Sequence, residues 1–384
     1  MAKKKYPVTA EKLAHIDGFN YLIEMGQANT GKSFATKYYC IQCAYNKSVP
    51  GDDDIPGYKC LYIRRYERDI TIAKISSWLD DLNREIKEGK DKGKTHVEVI
   101  SDGAYKYIGC FRGKIIKMYK DDPDTQERFF SHDLGTGTSV ADVEHTKSLV
   151  FNDYGTAIFE EFVTDRFYLD NEPDKLQRVI SSVFRDDKAK VFLIANKVSR
   201  LSPYFRAWQL TGITEQKPDT IDTYTQRNVD TGQITIIKSL MAGEYKHASG
   251  MFFGSGAKAI TGSEWYTETC RLMRYDKFDK IYRVVFIYDN FKFIGELCRL
   301  PSGYIFWFVY PYYKNIDIYR AKDRIVTNGT CYQPSQTPGM QGLTPEEAQA
   351  FKLLRDGNVY FSDNLTGTEF NRIYKLSAVL IYNC

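Results

Sequence analysis

The stretch Gly26-Gln27-Ala28-Asn29-Thr30-Gly31-Lys32-Ser33 decides the fold of this chain of 384 residues. It matches the pattern G-x-x-x-x-G-K-[ST] at every fixed position. The residues Tyr-Leu-Ile-Glu-Met at 21–25 before it predict a short buried strand, and apolar residues at helical spacing after it predict a helix. Glycines in such a loop let backbone N–H groups face a phosphate, and the helix N-terminus adds positive partial charge. The stretch therefore predicts a binding loop for ATP or GTP.

The predicted loop implies two bound groups, ATP and Mg²⁺, and gives a role to each of its residues. Lys32 would pair with the β- and γ-phosphates, while the Ser33 hydroxyl would hold Mg²⁺. The backbone from Gly26 to Gly31 would cradle the phosphates. The alternative is a glycine turn that merely precedes a helix. The complete pattern between a strand and a helix favours the nucleotide site.

A second apolar segment ends in two acids. Residues 155–162 read as a short strand followed by Glu160 and Glu161, which is what a Walker B segment looks like. In that interpretation Glu160 supports Mg²⁺ through water, and Glu161 orients and polarises the attacking water. Taken alone, an apolar run that ends in two glutamates is usually a strand end reaching solvent. The phosphate loop upstream favours the catalytic interpretation, although aspartate is commoner than glutamate at the position of Glu160.

The order of the predicted elements indicates an α/β fold. Strands alternate with helices over residues 1–210, which predicts a mostly parallel sheet with helices on both faces. Within this domain we expect a helix over 69–86 and a glycine-threonine turn over 135–139. Residues 211–265 are polar and rich in threonine and glycine, so they predict a linker with minor structure. Residues 266–384 contain short strands and a late helix, which predict a smaller C-terminal α+β domain.

Composition and charge limit the possible function classes. The net charge is +4, with 27% charged and 43% apolar residues, which is typical of a soluble globular protein. This mild positive charge permits nucleic-acid binding but does not indicate it. No apolar run reaches the length of a membrane span, so we expect no membrane partner. The eight cysteines are scattered, which indicates reduced thiols and a cytosolic compartment.

Four stretches, in their order along the chain, resemble one family. They are residues 26–33, 61–66, 158–162 and 183–205. With them the chain resembles the DNA-packaging ATPases, or encapsidation proteins, of phi-29-like small tailed phages. That family is a compact branch of the terminase large subunits, within the ASCE class of P-loop ATPases. The sequence Arg-Arg-Tyr that ends at residue 66 is among the more specific features, and the match covers the first half of the chain well.

The resemblance implies a subunit of a viral genome-packaging motor. ATP hydrolysis in a homo-oligomeric, pentameric ring would pump double-stranded DNA through a phage portal into a procapsid. A packaging RNA is an optional further partner. The protein would act in the host cytoplasm and, transiently, at the portal vertex of the procapsid. For residues 266–384 the resemblance implies a degenerate RNase H-like nuclease, a vestigial fold used for docking.

The resemblance also assigns residues that act between subunits. Arg185 takes the position of a trans-acting arginine finger, which would stabilise charge developing on the γ-phosphate of a neighbour. Lys147 takes the position of a second basic residue acting across the interface, and Asn196 that of a residue sensing the γ-phosphate. Alternatively, Arg185 is a surface arginine favoured by a helix C-terminus, and Asn196 caps the turn that follows it.

Two arginines are candidates for contacting DNA in the pore. Arg166 follows the two acids in a region that lines the channel in the family, and Arg68 is near another such loop. Thr164 stands where the family leads us to expect a basic residue, so the grip on DNA would be weaker or differently placed. Such contacts would be to phosphates, with salt dependence but little sequence preference. Solvated arginines without a DNA role are the alternative.

Two other functions stay open. A terminase large subunit with an active C-terminal nuclease would need a cluster of acids that binds two metals. Asp289 ends the first candidate strand, but Glu296, Asp317 and Asp323 are not evidently paired with it. A nucleotide-gated assembly protein, which binds ATP without useful turnover and without translocation, is the other possibility.

Overall fold

The computed structural model divides the chain into two compact units. The first comprises Met1–Phe252 with Ala257–Trp265, and the second comprises Phe253–Gly256 with Tyr266–Cys384. The structure describes residues 6–49, 55, 57–142, 153–164, 168–184, 189–243, 265, 268, 270–274, 278–288, 291–312, 324–326, 331–332 and 345–381. The first unit contains the phosphate loop and both acids of the predicted Walker B segment.

A ten-stranded sheet forms the centre of the first unit. In chain order its strands are β1 (Tyr21–Gly26), β2 (Lys59–Arg64), β3 (Tyr107–Phe111), β4 (Ile115–Asp121), β5 (Arg128–Phe130), β6 (Gly135–Ser139), β7 (Tyr154–Glu160), β8 (Lys190–Asn196), β9 (Thr220–Arg227) and β10 (Ile234–Met241). Across the sheet they follow the order β3-β4-β6-β2-β7-β8-β1-β10-β9, and β5 pairs with β4. Neighbours from β6 to β10 in this order are parallel. The prediction of a mostly parallel sheet is confirmed.

Helices cover both faces of this sheet because its central strands are apolar on both sides. The helices are α1 (Ala10–Ala14), α2 (Lys32–Asn46), α3 (Ile72–Leu79), α4 (His96–Ile100), α5 (Glu172–Val183) and α6 (Pro203–Ala207). On β1, Ile23 belongs to a core cluster with Leu176 of α5, whereas Leu22 belongs to another with Tyr39 of α2. A parallel sheet is normally buried in this way on both faces. The predicted helices after the phosphate loop and before β8 are both present.

The linker predicted over residues 211–265 is wrong for the part that forms β9 and β10. Strand β10 pairs in parallel with β1, and β9 pairs with β10 in antiparallel. Ile237, Leu240 and Met241 of β10 are buried in the core. Strand β9 is at the edge of the sheet and most of its side chains are exposed, so its sequence is polar and gives little apolar signal. The sheet of the first unit therefore continues well past residue 210.

Two further local predictions are corrected within the first unit. The stretch predicted as a glycine-threonine turn is β6, which pairs in parallel with β2. A Cβ atom on Gly135 would lie 2.0 Å from the carbonyl oxygen of Cys60, so this glycine permits close strand pairing and does not form a turn. The helix predicted over 69–86 ends as α3 at Leu79. A 3-10 helix over Asp80–Asn83 follows it, and the side chain of Asn83 bonds both backbone groups of Ile108 on β3.

The second unit is built on a separate six-stranded sheet. Its strands are β11 (Asp279–Tyr288), β12 (Phe291–Arg299), β13 (Ile305–Pro311), β14 (Arg324–Val326), β15 (Cys331–Tyr332) and β16 (Val359–Phe361), and its helices are α7 (Pro345–Arg355) and α8 (Asn364–Ile381). The order is β15-β14-β11-β12-β13-β16. Strands β11 to β13 form an antiparallel meander, as predicted, while β14 and β16 add to it in parallel. Buried Trp307 of β13 donates from Nε1 to the carbonyl oxygen of Ala350, 2.8 Å away on α7.

In the described part of the chain, none of the helices combines the length and the apolar character that crossing a membrane would require.

Candidate nucleotide site

The phosphate loop joins the end of β1 directly to the start of α2. Gly31 has φ 91°, and a Cβ atom there would lie 2.6 Å from the carbonyl oxygen of Val8. Both facts make glycine the fitting residue at this position. Gly31 is also the N-cap of α2 and supplies no side-chain cap to the first N–H groups of this helix. An anion is the natural partner for such N–H groups, so the loop geometry fits a phosphate.

Lys32 lies inside this loop and is only 4% exposed. Its Nζ donates to the carbonyl oxygen of Gln27 at 2.6 Å and to Thr30 Oγ1 at 3.0 Å. Burial is the main cause that lowers the pKa of Lys32 to about 8. A phosphate bound at the loop would supply the negative charge that this partly desolvated ammonium lacks. The position and burial of Lys32 therefore suit a phosphate ligand.

Asn196 is brought next to the phosphate loop by the pairing of β1 with β8. Gly26 and Asn196 are direct partners in the register of these two strands. Asn196 Oδ1 accepts a hydrogen bond from Lys32 Nζ at 3.3 Å. An exposed amide beside the lysine of the loop is well placed to contact a terminal phosphate. Its role as a γ-phosphate sensor stays a prediction.

Glu160 and Glu161 lie at the same edge of the sheet as the phosphate loop. Strand β8 separates β1 from β7, and all three strands are parallel, so their carboxyl ends meet at one edge. Glu160 ends β7 and is 9% exposed. The side chain of Glu161 is 71% exposed, and its backbone is left-handed with φ 58°. The sequence prediction of a strand that ends in two acids is confirmed, whereas their chemical roles stay predictions.

Arg64 bonds both acids, and sequence reasoning did not assign it to the site. This residue ends β2, the strand beside β7. Its Nη2 lies 2.7 Å from Glu161 Oε2 and its Nη1 lies 3.5 Å from Glu160 Oε2. Tyr62 Oη, from the same strand, is 3.5 Å from Glu160 Oε2. The two adjacent arginines after β2 were a visible signal, but only the strand order shows which carboxylates they reach.

Glu24 is a second residue that sequence reasoning missed. It is on β1, two residues before Gly26, and is completely buried. Its Oε1 is 2.5 Å from the hydroxyl of Thr36 on α2, while its Oε2 has no hydrogen-bond partner among the described residues. Burial is the main cause that raises the pKa of Glu24 to about 8. The signal in the sequence was an acid in the middle of an apolar strand.

Several predicted site residues lie outside the described part of the structure. They are Arg185, Lys147 and Arg166, together with Asp289 of the C-terminal unit. Arg68 is described and is exposed, with its guanidinium 5.0 Å from the centre of the Tyr66 ring. Its contact with DNA stays a prediction. So do the actions of Arg185 and Lys147 across a subunit interface.

In the second unit, Glu296 of β12 is the described member of the acids considered for a nuclease site. It is 3% exposed, and its Oε1 accepts from Lys280 Nζ at 2.9 Å and from Tyr310 Oη at 3.0 Å. Over the ranges that the structure describes, no group of three or more His, Cys, Asp or Glu side chains could hold a metal ion. The described residues of this sheet therefore bring together an ion pair and not a cluster of acids.

Comparisons with known proteins give similarity in structure. No protein family matches the chain by sequence, and no curated protein matches it either. The Phi-28 gp11 DNA packaging motor is 14% identical, with 97% of this chain and 98% of that chain covered and a TM-score of 0.45. The bacteriophage Phi-29 packaging motor assembly is 15% identical, with 93% and 95% covered and a TM-score of 0.43. For the N-terminal domain of the phi29 DNA packaging ATPase the identity is 18%, the coverage 65% and 100%, and the TM-score 0.41.

These similar structures are DNA-packaging motor and ATPase chains, which is the kind of protein that the sequence resembles. At such low identities and TM-scores, the similarity carries no assignment of activity. Any assignment of activity must therefore come from the residues of the site.

Proposed function

We propose that this chain is the ATP-hydrolysing subunit of a motor that packages double-stranded DNA into a phage procapsid through the portal. ATP hydrolysis is supported by one observation. Four side chains lie at the same edge of a parallel sheet, namely Lys32, Asn196, Glu160 and Glu161. This is where open α/β sheets bind ligands. DNA as the substrate and the portal as a partner are inferred from the resemblance of the sequence to packaging ATPases.

The residues at this edge fit a nucleotide with Mg²⁺. Lys32 would bind the β- and γ-phosphates against the N-terminus of α2. Ser33 is exposed in the first turn of that helix, where its hydroxyl is free to face the ion. Glu160 would hold the ion through water. When bound, Mg²⁺ would neutralise charge on the phosphates during hydrolysis.

Glu161 would act as the base that orients the attacking water. Its carboxylate is exposed, so it can reach a water molecule beyond the γ-phosphate. In this structure it is paired with Arg64, and this contact must loosen before Glu161 can accept a proton. An ion pair with one exposed partner is worth little, about 1 kcal/mol or less, so its loss is a small barrier to activity. Asn196 would contact the γ-phosphate beside Lys32.

A pentameric ring would complete each site with residues from a neighbouring subunit. Arg185 and Lys147 would be supplied in trans, while Arg166 and Arg68 would contact DNA phosphates in the pore. Mixing subunits that carry Arg185→Ala with subunits that carry Glu161→Gln should then restore some hydrolysis. Mixed rings that demonstrably assemble but show no such rescue would exclude an arginine supplied in trans. A packaging RNA would be a further contact at the portal vertex.

The second unit would be a degenerate RNase H-like fold that serves for docking. An antiparallel meander extended in parallel by β14 supports this proposal. The ion pair of Glu296 with Lys280 also supports it, because a paired carboxylate is a poor metal ligand. DNA incubated with Mg²⁺ or Mn²⁺ should remain uncut. Cutting that disappears in Asp289→Asn would favour the active nuclease instead.

The central test is ATP hydrolysis with and without linear double-stranded DNA. We expect hydrolysis that DNA stimulates and that falls to a small residual rate in Glu161→Gln while nucleotide binding persists. Glu127→Gln is a matched control, since Glu127 is exposed in the turn between β4 and β5. Binding of ATP without turnover in the unmodified protein, also in the presence of portal and DNA, would favour a nucleotide-gated assembly protein.

A further inference from the structure

A buried ion pair lies directly behind the two acids and has no part in the chemistry proposed above. Arg65 follows β2, and Glu172 is the first residue of α5. Arg65 Nε lies 2.7 Å from Glu172 Oε2, and the two side chains are 9% and 0% exposed. Burying such a pair costs desolvation that the attraction between the charges barely offsets, so its presence calls for a reason other than stability.

The guanidinium of Arg65 also holds the backbone of the segment that carries the acids. Its Nη1 donates to the carbonyl oxygen of Glu161 at 3.1 Å, and its Nη2 donates to that of Phe162 at 3.0 Å. All three guanidinium nitrogens thus have acceptors. Because the guanidinium is planar and rigid, these bonds fix two successive carbonyl groups relative to Glu172.

Glu161 is held in a backbone conformation that it would not adopt by itself. Its φ of 58° is in the left-handed region, which is uncommon for a residue other than glycine. Its N–H donates to the carbonyl oxygen of Ile194 on β8 at 2.8 Å, while its own carbonyl accepts from Arg65. Both peptide groups of Glu161 are therefore fixed. Strained conformations of this kind persist only where the surroundings determine them, and they concentrate at functional sites.

Glu172 is itself fixed by further bonds, so it can serve as an anchor for Arg65. Its Oε2 accepts from the N–H of Leu169 at 2.9 Å, and its Oε1 accepts from Tyr204 Oη at 3.0 Å. Tyr204 is on α6 and is completely buried. The anchor therefore ties α5, α6 and the end of β7 together. Every bond in this network has good length, and the charge of each partner is compensated.

We infer that Arg65, anchored by Glu172, is a positioning residue that sets the direction of the Glu161 carboxylate for hydrolysis. This inference rests on the proposed function, in which Glu161 orients the attacking water. Lysine at position 65 would keep the charge but could not bond Glu172 and both carbonyl groups at once. The backbone of Glu161 would then relax from the left-handed conformation, and its carboxylate would leave the position from which it orients the attacking water.

The test compares Arg65→Lys with the wild type in steady-state hydrolysis and in nucleotide binding. We expect kcat to fall about 100-fold, as for other misplacements of a reacting group by about 1 Å. The affinity for a fluorescent ATP analogue should stay unchanged, because Lys32 and the phosphate loop are not touched. Arg128→Lys is the matched control, since Arg128 also bonds an acid, Asp121 at 2.7 Å, but far from the loop in the strand order and 45% exposed.

A double-mutant cycle separates positioning from a general structural effect. If Arg65 acts through Glu161, Arg65→Lys should cause no further loss in the residual hydrolysis rate of a Glu161→Gln background, measured at high enzyme concentration. A folded Arg65→Lys variant with wild-type kcat, or equal losses in both backgrounds, would overturn the inference. A Glu161→Gln variant that hydrolyses ATP at the wild-type rate would instead overturn the proposed role of Glu161. The two failures are therefore distinguishable.

A second variant keeps the inference testable if Arg65→Lys does not fold, which its thermal melting would reveal. In Glu172→Gln the side-chain oxygen can still accept a hydrogen bond from the N–H of Leu169, but the charge that anchors Arg65 is gone. We expect the same pattern of lower kcat, unchanged nucleotide affinity and no further loss in the Glu161→Gln background. Wild-type kcat in this variant would overturn the anchoring of Arg65 by Glu172.

Discussion

Replacing Glu24 by glutamine should remove a large pH dependence from the stability of the first unit. Burial raises the pKa of Glu24 from 4.5 to about 8 in the folded protein. The folded state therefore keeps a proton that the unfolded state releases between these pH values. The contribution of this proton to the free energy of unfolding is complete below pH 4.5 and is lost as the pH rises toward 8. A pKa change of this size corresponds to about 5 kcal/mol in the free energy of unfolding, as an upper value.

The assay is urea unfolding of the wild type and of Glu24→Gln at several pH values from 5 to 8. We expect the wild type to lose several kcal/mol across this range and the variant to lose much less, because an amide has no charge to bury. An unpaired amide group costs about 1–3 kcal/mol at every pH, so the slope and not the absolute stability is the measured quantity. Lys32 does not interfere, since its lowered pKa of about 8 makes stability rise only above this range.

Glu127→Gln, at an exposed position, provides the control for a loss of charge without burial. It should leave the slope of the wild type unchanged. Parallel curves for Glu24→Gln and the wild type from pH 5 to 8 would refute the reasoning. They would mean that water or a cation reaches the Glu24 carboxylate and keeps it ionised in the folded protein.

Three other predictions concern the site itself. Lys32→Ala should abolish nucleotide binding, measured by titration with a fluorescent ATP analogue, because it removes the buried ammonium that lies inside the phosphate loop; retained affinity would contradict the placement of the phosphates. Gly31→Ala should lower the free energy of unfolding by about 1–3 kcal/mol in thermal or urea unfolding, since its left-handed backbone and the nearby Val8 carbonyl leave no room for a Cβ atom. Arg64→Ala should lower the Mg²⁺ concentration for half-maximal hydrolysis, because it removes a cation that competes for Glu160; an unchanged Mg²⁺ requirement would show that Arg64 leaves the site before the ion binds.

The elements that the sequence predicted correctly share one property. The phosphate loop, the strand ending in Glu160 and the strand ending in Asn196 each combine an apolar run with a chemically distinctive end. Such segments are recognisable locally, since a buried parallel strand is apolar on both faces. The site edge could therefore be assembled from the sequence, with its lysine, its amide and its two acids in the right relation to the strands.

What the sequence did not reveal depends on pairing between distant segments. The polar strand β9 is stabilised by its neighbour β10, and position 135 suits glycine because the backbone of Cys60 on β2 approaches it closely. The bonds of Arg64 and Arg65 to acids about a hundred positions later follow from strand order. The burial of Glu24 follows from the packing of α2 on β1. The adjacent arginines and the acid within an apolar strand were visible in the sequence, but the partners of these residues leave no local signal, so only the assembled fold discloses the contacts.

The pairing of β10 with β1 has a practical consequence for where the motor unit can be cut. A fragment that ends at residue 210 would lack β9 and β10 and would leave β1 as the last strand on that side of the sheet. Its backbone groups would then be exposed along a row of apolar side chains, which is the kind of unprotected strand edge that recruits other chains. Such a fragment should aggregate, whereas one that ends after Met241 keeps the strand of the phosphate loop covered.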